Sequence, residues 1–314
     1  TLTQTCSLTA QEKEQGLDKK PFHIPLVVGL LDNNGNEIKL NCEKATRNTD
    51  GQTLLHLKAE TESFVFTGVK EKPVLSLNRQ FSAPIHLTTP AKDEELLFLM
   101  KKDTDSFNRW EAAQKIYQKM FSDLIAADTK NKPLAVPPSV VQAFSNLLED
   151  TQLDADMKSK LMALPSDDYL AQLENTLHAQ SLFRARHAIQ FEFATRTEDQ
   201  LFAIYQEHHG KNLLSRDARE FGRRRLKNTA LAYLSHLPEH QKLVEKQFAY
   251  AQIMTDQIVA FSLMLDFDNN LRNMAIEKFY SQWKHEYLVI NKWLAVQAGS
   301  HHPKTFETVL KLSE

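Results

Sequence analysis

Glycine is scarce in this chain. There are 8 glycines among 314 residues, where ordinary usage of ~7% would give about 22. A large all-β enzyme or a glycine-loop nucleotide binder needs many more positions of free backbone, so the shortage points to helices. Cysteine is scarcer still: Cys6 and Cys42 are the only two, too few for a disulfide framework, and a reducing compartment is the expectation. Charge of one sign is also missing. With 38 basic and 40 acidic residues, the formal net charge is −2, which gives no global attraction to nucleic acid or an anionic membrane. No run approaches the roughly 18 apolar residues of a membrane span. Thr1 to Cys6 has neither the basic start nor the apolar stretch of a signal peptide. The missing initiator methionine suggests a piece of a longer protein, cytoplasmic by these signs.

The pattern that is present changes near residue 90. Before it, short runs alternate with period two: Thr1 to Cys6, Leu26 to Leu31, Glu37 to Leu40, Thr53 to Lys58, Ser63 to Thr67, Pro73 to Leu77 and Ile85 to Thr88. Asp32-Asn33-Asn34-Gly35-Asn36 reads as the turn of a hairpin. Such spacing predicts a small β-sandwich over residues 1–90, by itself as much a spacer as a binding surface.

From residue 91 to 314 the period is helical. Phe107, Trp110, Ala113, Ile116, Tyr117, Met120, Phe121, Leu124 and Ile125 fall on one face and read as core. Ser139 with Gln142 and Thr197 with Gln200 have capping-box spacing, and Asp154, Asp167, Thr255, Asp268 and Pro303 are further helix starts. Ten to twelve amphipathic helices with short connections must stack to bury their stripes, so the expected architecture is a superhelical, solenoid-like array. No repeat of fixed period is visible.

Candidate chemistry is thin. His236-Leu237-Pro238-Glu239-His240 spells the inverted zinc-protease motif, which needs both histidines on one helix face. Pro238 argues instead for a helix end and turn. His285-Glu286-Tyr287-Leu288-Val289 has valine where a second ligand belongs. The pairs His208-His209 and His301-His302 point about 100° apart on a helix and are expected at surfaces or helix ends. Arg216, Arg219, Arg223 and Lys227, with Arg224 and Arg225 beside them, form a basic stripe. It reads as a solvated or ion-paired face, with Phe221, Leu226, Ala230, Tyr233, Leu234 and Leu237 packing inward. No catalytic, metal-binding or cofactor-binding residue is assigned.

Five collinear stretches resemble the bacterial aminopeptidase N family of zinc gluzincins. Arg225 to Leu234 is similar to its R-x-L-x-N-x-A-L-x-x-L helix. Phe81-Ser82-Ala83-Pro84 resembles the end of its β-sandwich domain, and Asp105 to Ala112 its D-x-F-x-R-W-x-A helix. Ala251 to Asp256 stands where the family has N-M-T-D, with Ile253 replacing asparagine. Leu288 to Trp293 with Gln297-Ala298 resembles L-V-M-D-K-W…Q-A, with Ile290 and Asn291 as departures. The resemblance implies a β-sandwich linker, residues 1–90, and a helical cap, residues 91–314, incomplete at its C-terminus. It implies that zinc, the H-E-x-x-H helix and the Gly-x-Met-Glu-Asn loop belong to a catalytic domain that is not present. The partners implied are the catalytic and N-terminal domains of the same polypeptide and, in the parent, short peptides. The rival readings are an independent helical scaffold for another protein and a nucleic-acid-binding array built on the basic stripe.

Overall fold

The computed structural model describes residues 1–174, 176–211 and 214–313. Its elements, in chain order, begin with β1 (Leu2–Thr3), α1 (Ala10–Glu14), β2 (Ile24–Leu31), β3 (Thr46–Arg47), β4 (Thr53–Leu57), β5 (Thr61–Glu62) and β6 (Val74–Leu77). Helices then take over: α2 (Asp93–Lys102), α3 (Ser106–Asp128), α4 (Pro138–Glu149), α5 (Ala155–Met162), α6 (Asp167–Leu173), α7 (Ala179–Arg196) and α8 (Glu198–His208). The rest are α9 (Ala218–Leu234), α10 (Gln241–Tyr250), α11 (Met254–Leu265), α12 (Asn270–Trp283), α13 (Tyr287–Ala298) and α14 (Thr305–Ser313). Short 3-10 turns lie at Arg79–Phe81 and Pro238–His240. No described helix is long and apolar enough to cross a membrane. The chain divides into two compact units, Thr1–Met120 with Leu164–Leu170, and Phe121–Ala163 with Ala171 onward.

In the first unit β2 is central because its run of β-branched and leucine side chains suits a strand buried on both faces. It pairs antiparallel with β4 on one side and β6 on the other, giving the order β3-β4-β2-β6, while β1 and β5 form a separate two-stranded ladder. Leu26, Val28, Leu30, Leu55 and Leu77 pack together, with Leu2 of β1 against them. Gly29 of β2 is required by a close approach: a Cβ there would stand 2.7 Å from the Arg79 guanidinium.

Several expected strands are shorter than the alternation implied. The hairpin partner of β2 is reduced to one bridge, Leu31 to Glu37, and the turn is closed by Asp32, which accepts from the amides of Asn34 and Asn36 at 2.8 Å. Ser63 to Thr67 contributes one bridge, Thr67 to Asn41, and Ile85 to Thr88 joins no ladder. Their Phe64, Phe66 and Ile85 still face the core. Alternation reports a buried face and does not require a paired edge.

In the second unit successive helices pack in pairs, α8 on α9, α10 on α11 and α11 on α12, with α5 across α9. At the α5–α9 crossing the backbones nearly touch, since a Cβ on Gly222 would lie 2.9 Å from the Asp156 amide nitrogen. The α3 stripe is core as read: Ala113, Ile116, Tyr117, Met120, Phe121, Leu124 and Ile125 are buried, and Phe107 and Trp110 are half-buried.

Helix starts are displaced from the sequence reading. Asp154 does cap α5, accepting from the Met157 amide at 2.8 Å. By contrast α4 begins at Pro138, so Ser139 lies inside it. The Thr197 hydroxyl donates back to the Phe193 carbonyl at 2.7 Å, and Gln200 reaches Ser145 and Glu149 instead. Asp167 opens α6 as read, with Ser166 as its cap, whereas Asn269 rather than Asp268 caps α12. Met254 precedes Thr255 in α11, and α14 starts two residues after Pro303. Thirteen described helices follow residue 92, one more than the upper count, and α1 lies unannounced in the β region.

Candidate functional site

The His236 to His240 segment is a helix end and a turn. α9 stops at Leu234, Leu237 is extended, and Pro238 opens a single 3-10 turn. The two histidines therefore go to different partners. His240 Nε2 meets Glu198 at 2.8 Å, while His236 sits edge-on to His187 with ring centroids 5.6 Å apart. Burial pushes the His236 imidazole down to about 4, with His187 and His301 adding to the effect. Glu286, from the second zinc-like string, is the exposed residue preceding α13. Among the described residues no group of three or more His, Cys, Asp or Glu is placed to hold a metal ion.

Of the histidine pairs, His209 and His301 are exposed and His208 half-buried at the end of α8. His302 departs from the surface reading. It is 7% exposed, and its Nδ1 accepts from the Lys304 amide at 3.1 Å.

Arg223, Arg225 and Lys227 of the basic stripe are ion-paired, and two of its members, Arg224 and Lys227, are buried. Arg223 pairs with Glu220 at 2.8 Å and Arg225 with Asp156 at 2.5 Å. Lys227 is fully buried, with Nζ 2.5 Å from Asp256 Oδ2. Burial drives the Lys227 ammonium below its usual range, and its hydrogen bond to Asp256 opposes the shift. Conversely Phe221, expected in the core, is 54% exposed and carries the Arg224 guanidinium 4.6 Å above its ring. Helical periodicity located the stripe but missed a small rotation about the helix, which exchanged an exposed aromatic for a buried lysine.

Lys227 belongs to a closed polar cluster. Asn228 donates to Asp256 Oδ1 at 3.0 Å, and Gln247 donates at 3.0 Å both to Asn228 Oδ1 and to the Asp256 carbonyl. Two of the five sequence stretches, those of α9 and of the start of α11, thus meet through their polar residues. Gln247 in α10 lies outside both, and only its place in the fold reveals it.

A second junction forms inside the first unit. Asn78, Gln80 and Phe81 adopt positive φ, and Asn78 accepts from the Ala83 amide at 2.9 Å while Ser82 accepts from Val27 N at 2.9 Å. Asp105 receives the Gln80 and Asn108 amides at 3.1 and 2.9 Å, and Asn108 donates to Ser76 and the Leu77 carbonyl. Arg79, 3% exposed, bridges Asp103 at 3.1 Å and Glu37 at 2.8 Å. The Phe-Ser-Ala-Pro turn and the Asp105–Ala112 stretch are one structural joint. In the fifth stretch Trp293 donates to the Ile276 carbonyl and the buried Gln297 to the Trp293 carbonyl, both at 3.1 Å. All these groups fix helices and turns to one another.

An Ig-like sheet module followed by stacked helices with polar junctions defines a two-part scaffold class. Residues 1–90 match the family described as a domain of unknown function, DUF3458, with an Ig-like fold, and residues 93–314 match DUF3458_C, described as ARM repeats. The chain belongs to this family. It is homologous to the C-terminal part of bacterial aminopeptidase N. The Escherichia coli aminopeptidase N is 30% identical over 98% of this chain and 35% of its own length. That of Haemophilus influenzae is 27% identical over 100% and 35%, and that of Caulobacter vibrioides 33% identical over 78% and 28%. A solved structure, Legionella pneumophila aminopeptidase A in complex with aspartic acid, matches with TM-score 0.78 at 27% identity, covering 93% of this chain and 34% of that one. The chain therefore spans about a third of the length of these relatives.

Proposed function

We propose that residues 1–314 are the non-catalytic part of a zinc-dependent, cytoplasmic aminopeptidase that removes N-terminal residues from short peptides. In this reading residues 1–90 are a linker and residues 91–314 a cap that shapes and encloses the active-site chamber. Its partners are the catalytic and N-terminal domains of the same polypeptide. The observation that carries the reading is the similarity to aminopeptidase N over 98% of this chain but 35% of the relative. The His236 to His240 motif does not fit a zinc ion, since Pro238 breaks the helix it needs and its rings point to separate partners. The metal and the bond-breaking chemistry are assigned to the rest of the polypeptide for that reason.

An enclosing wall selects substrates by size, because a folded or long chain cannot enter, and it limits bulk water around the reacting centre. The test compares the full-length aminopeptidase with a form lacking residues 91–314, on peptides of two to twenty residues. The cap reading expects the full enzyme to prefer short peptides and the truncated form, where it remains folded and zinc-loaded, to lose that preference. Equal length profiles for both would refute it. The nucleic-acid reading is the less supported one, since Arg223, Arg225 and Lys227 of the stripe that suggested it are paired with Glu220, Asp156 and Asp256.

A further inference from the structure

The second unit contains a cavity of about 520 Å³ to which the five family-like stretches contribute Ala232 alone. α7 supplies Phe183, Arg186 and His187 to its wall, the turn after α9 supplies His236, and the segment after α13 supplies His301 and His302. Four of the chain's 12 histidines thus meet in one space although they lie far apart in sequence. The segment is pinned in place by the end of α11. Asp266 Oδ1 accepts from Ser300 Oγ and from the His301 amide, both at 2.8 Å, and Oδ2 lies 3.6 Å from His301 Nδ1. Asp266 is accordingly engaged with the wall itself. Asp268, fully exposed, lies 3.6 Å from His302 Nε2.

The remaining surface is amphipathic. Phe183 stacks obliquely on His301 with centroids 5.9 Å apart, and Leu263 and Phe267 add apolar lining. Polar contributions come from Ser235 and Gln241 as well as the imidazoles. A cavity of this size with apolar walls and a few converging polar groups is the ordinary form of a small-ligand site. We propose that this cavity binds a small carboxylate attached to an apolar or aromatic body, and that acidification strengthens the binding.

The charge inventory supports that sign. α7 contributes Arg186, whose guanidinium lies 5.0 Å above the Phe121 ring and is cationic at every working pH, together with His187. The turn after α9 contributes His236, the segment after α11 Asp266 and Asp268, the 299–303 segment His301 and His302, and α10 the neutral Gln241. Arg272, in the first turn of α12, is turned to the Leu265 carbonyl and Thr308. Imidazole is the side chain that ordinarily gains its charge between pH 8 and 5. Any wall imidazole that gains a proton over that interval adds positive charge to the cavity. His236 remains neutral there, because burial holds it down at about 4, and serves as a hydrogen-bonding wall. A carboxylate gains from each added positive charge, whereas a neutral isostere does not.

The experiment follows the ring carbon–hydrogen signals of the 12 histidines by NMR in the 314-residue chain at constant ionic strength. Benzoate and benzamide are titrated separately at pH 6 and pH 8. Saturable shifts are expected for His187, His236, His301 and His302 with benzoate, with a dissociation constant about tenfold lower at pH 6, equivalent to coupling of one pKa unit. Benzamide should bind at least about tenfold more weakly at pH 6 on the same reasoning. His301→Gln, at an exposed position, should weaken benzoate and erase much of the pH dependence while far-ultraviolet circular dichroism is unchanged. Equal binding of benzamide, shifts spread over all histidines, or the same benzoate affinity at both pH values would each overturn the assignment. The proposal concerns the helical unit alone and stands or falls independently of the peptide-chamber reading.

Discussion

Lys227 is the residue whose position says most about this scaffold. A fully buried ammonium survives because Asp256 lies 2.5 Å away and is itself held by Asn228. Removing one member of such a pair strands the other, at a cost of about 3–5 kcal/mol. Lys227→Met should therefore lower the free energy of unfolding in urea by about that much; a loss under about 1 kcal/mol, the range of exposed pairs, would show that the pair is solvated. Glycines give a steric counterpart. Gly222→Ala places a methyl 2.9 Å from the Asp156 amide nitrogen, and overpacking of this kind costs about 1–3 kcal/mol. Unfolding midpoints equal to the parent's would mean that α5 can move away freely. None of this was visible in composition. Lys227 read as one more cation on a stripe, since periodicity resolves a helix face only coarsely, and its acidic partner lies on another helix.

At the scale of elements, the legible features were those written locally. The α3 stripe, the Asp154 cap and the Asp32 to Asn36 turn all follow from neighbours in sequence. The illegible ones depended on what came to lie alongside. Thr197 has the spacing of a cap, yet its hydroxyl bonds the Phe193 carbonyl because α7 runs almost directly into α8. Ile85 to Thr88 alternates like a strand, yet no neighbour offers it a ladder. The carboxyl-terminal end of α9 gives an element-level prediction in pH. His236 binds its proton near pH 4 when folded, below the ordinary imidazole value. Between those limits the unfolded chain holds more protons, so stability rises with pH and is lost as pH falls from about 6.5 towards 4. The shift corresponds to about 3 kcal/mol. Urea titrations at pH 7 and 4.5 should show this loss, and His236→Gln should remove most of the difference; an unchanged slope in that variant would assign the acid sensitivity elsewhere.

For the molecule as a whole, similarity and geometry address different questions. Family-like stretches placed the chain correctly, and their Ser82, Asp105, Asn228 and Asp256 build the joints between elements. The histidine cavity had no signature, since its four rings come from three separate segments. The most direct test is to purify the 314-residue chain, confirm its helical spectrum, and measure both zinc by elemental analysis and release of a fluorophore from an N-terminal aminoacyl amide. The division of labour proposed here predicts substoichiometric zinc and no release above the buffer blank. One zinc per chain together with turnover of the amide would contradict it.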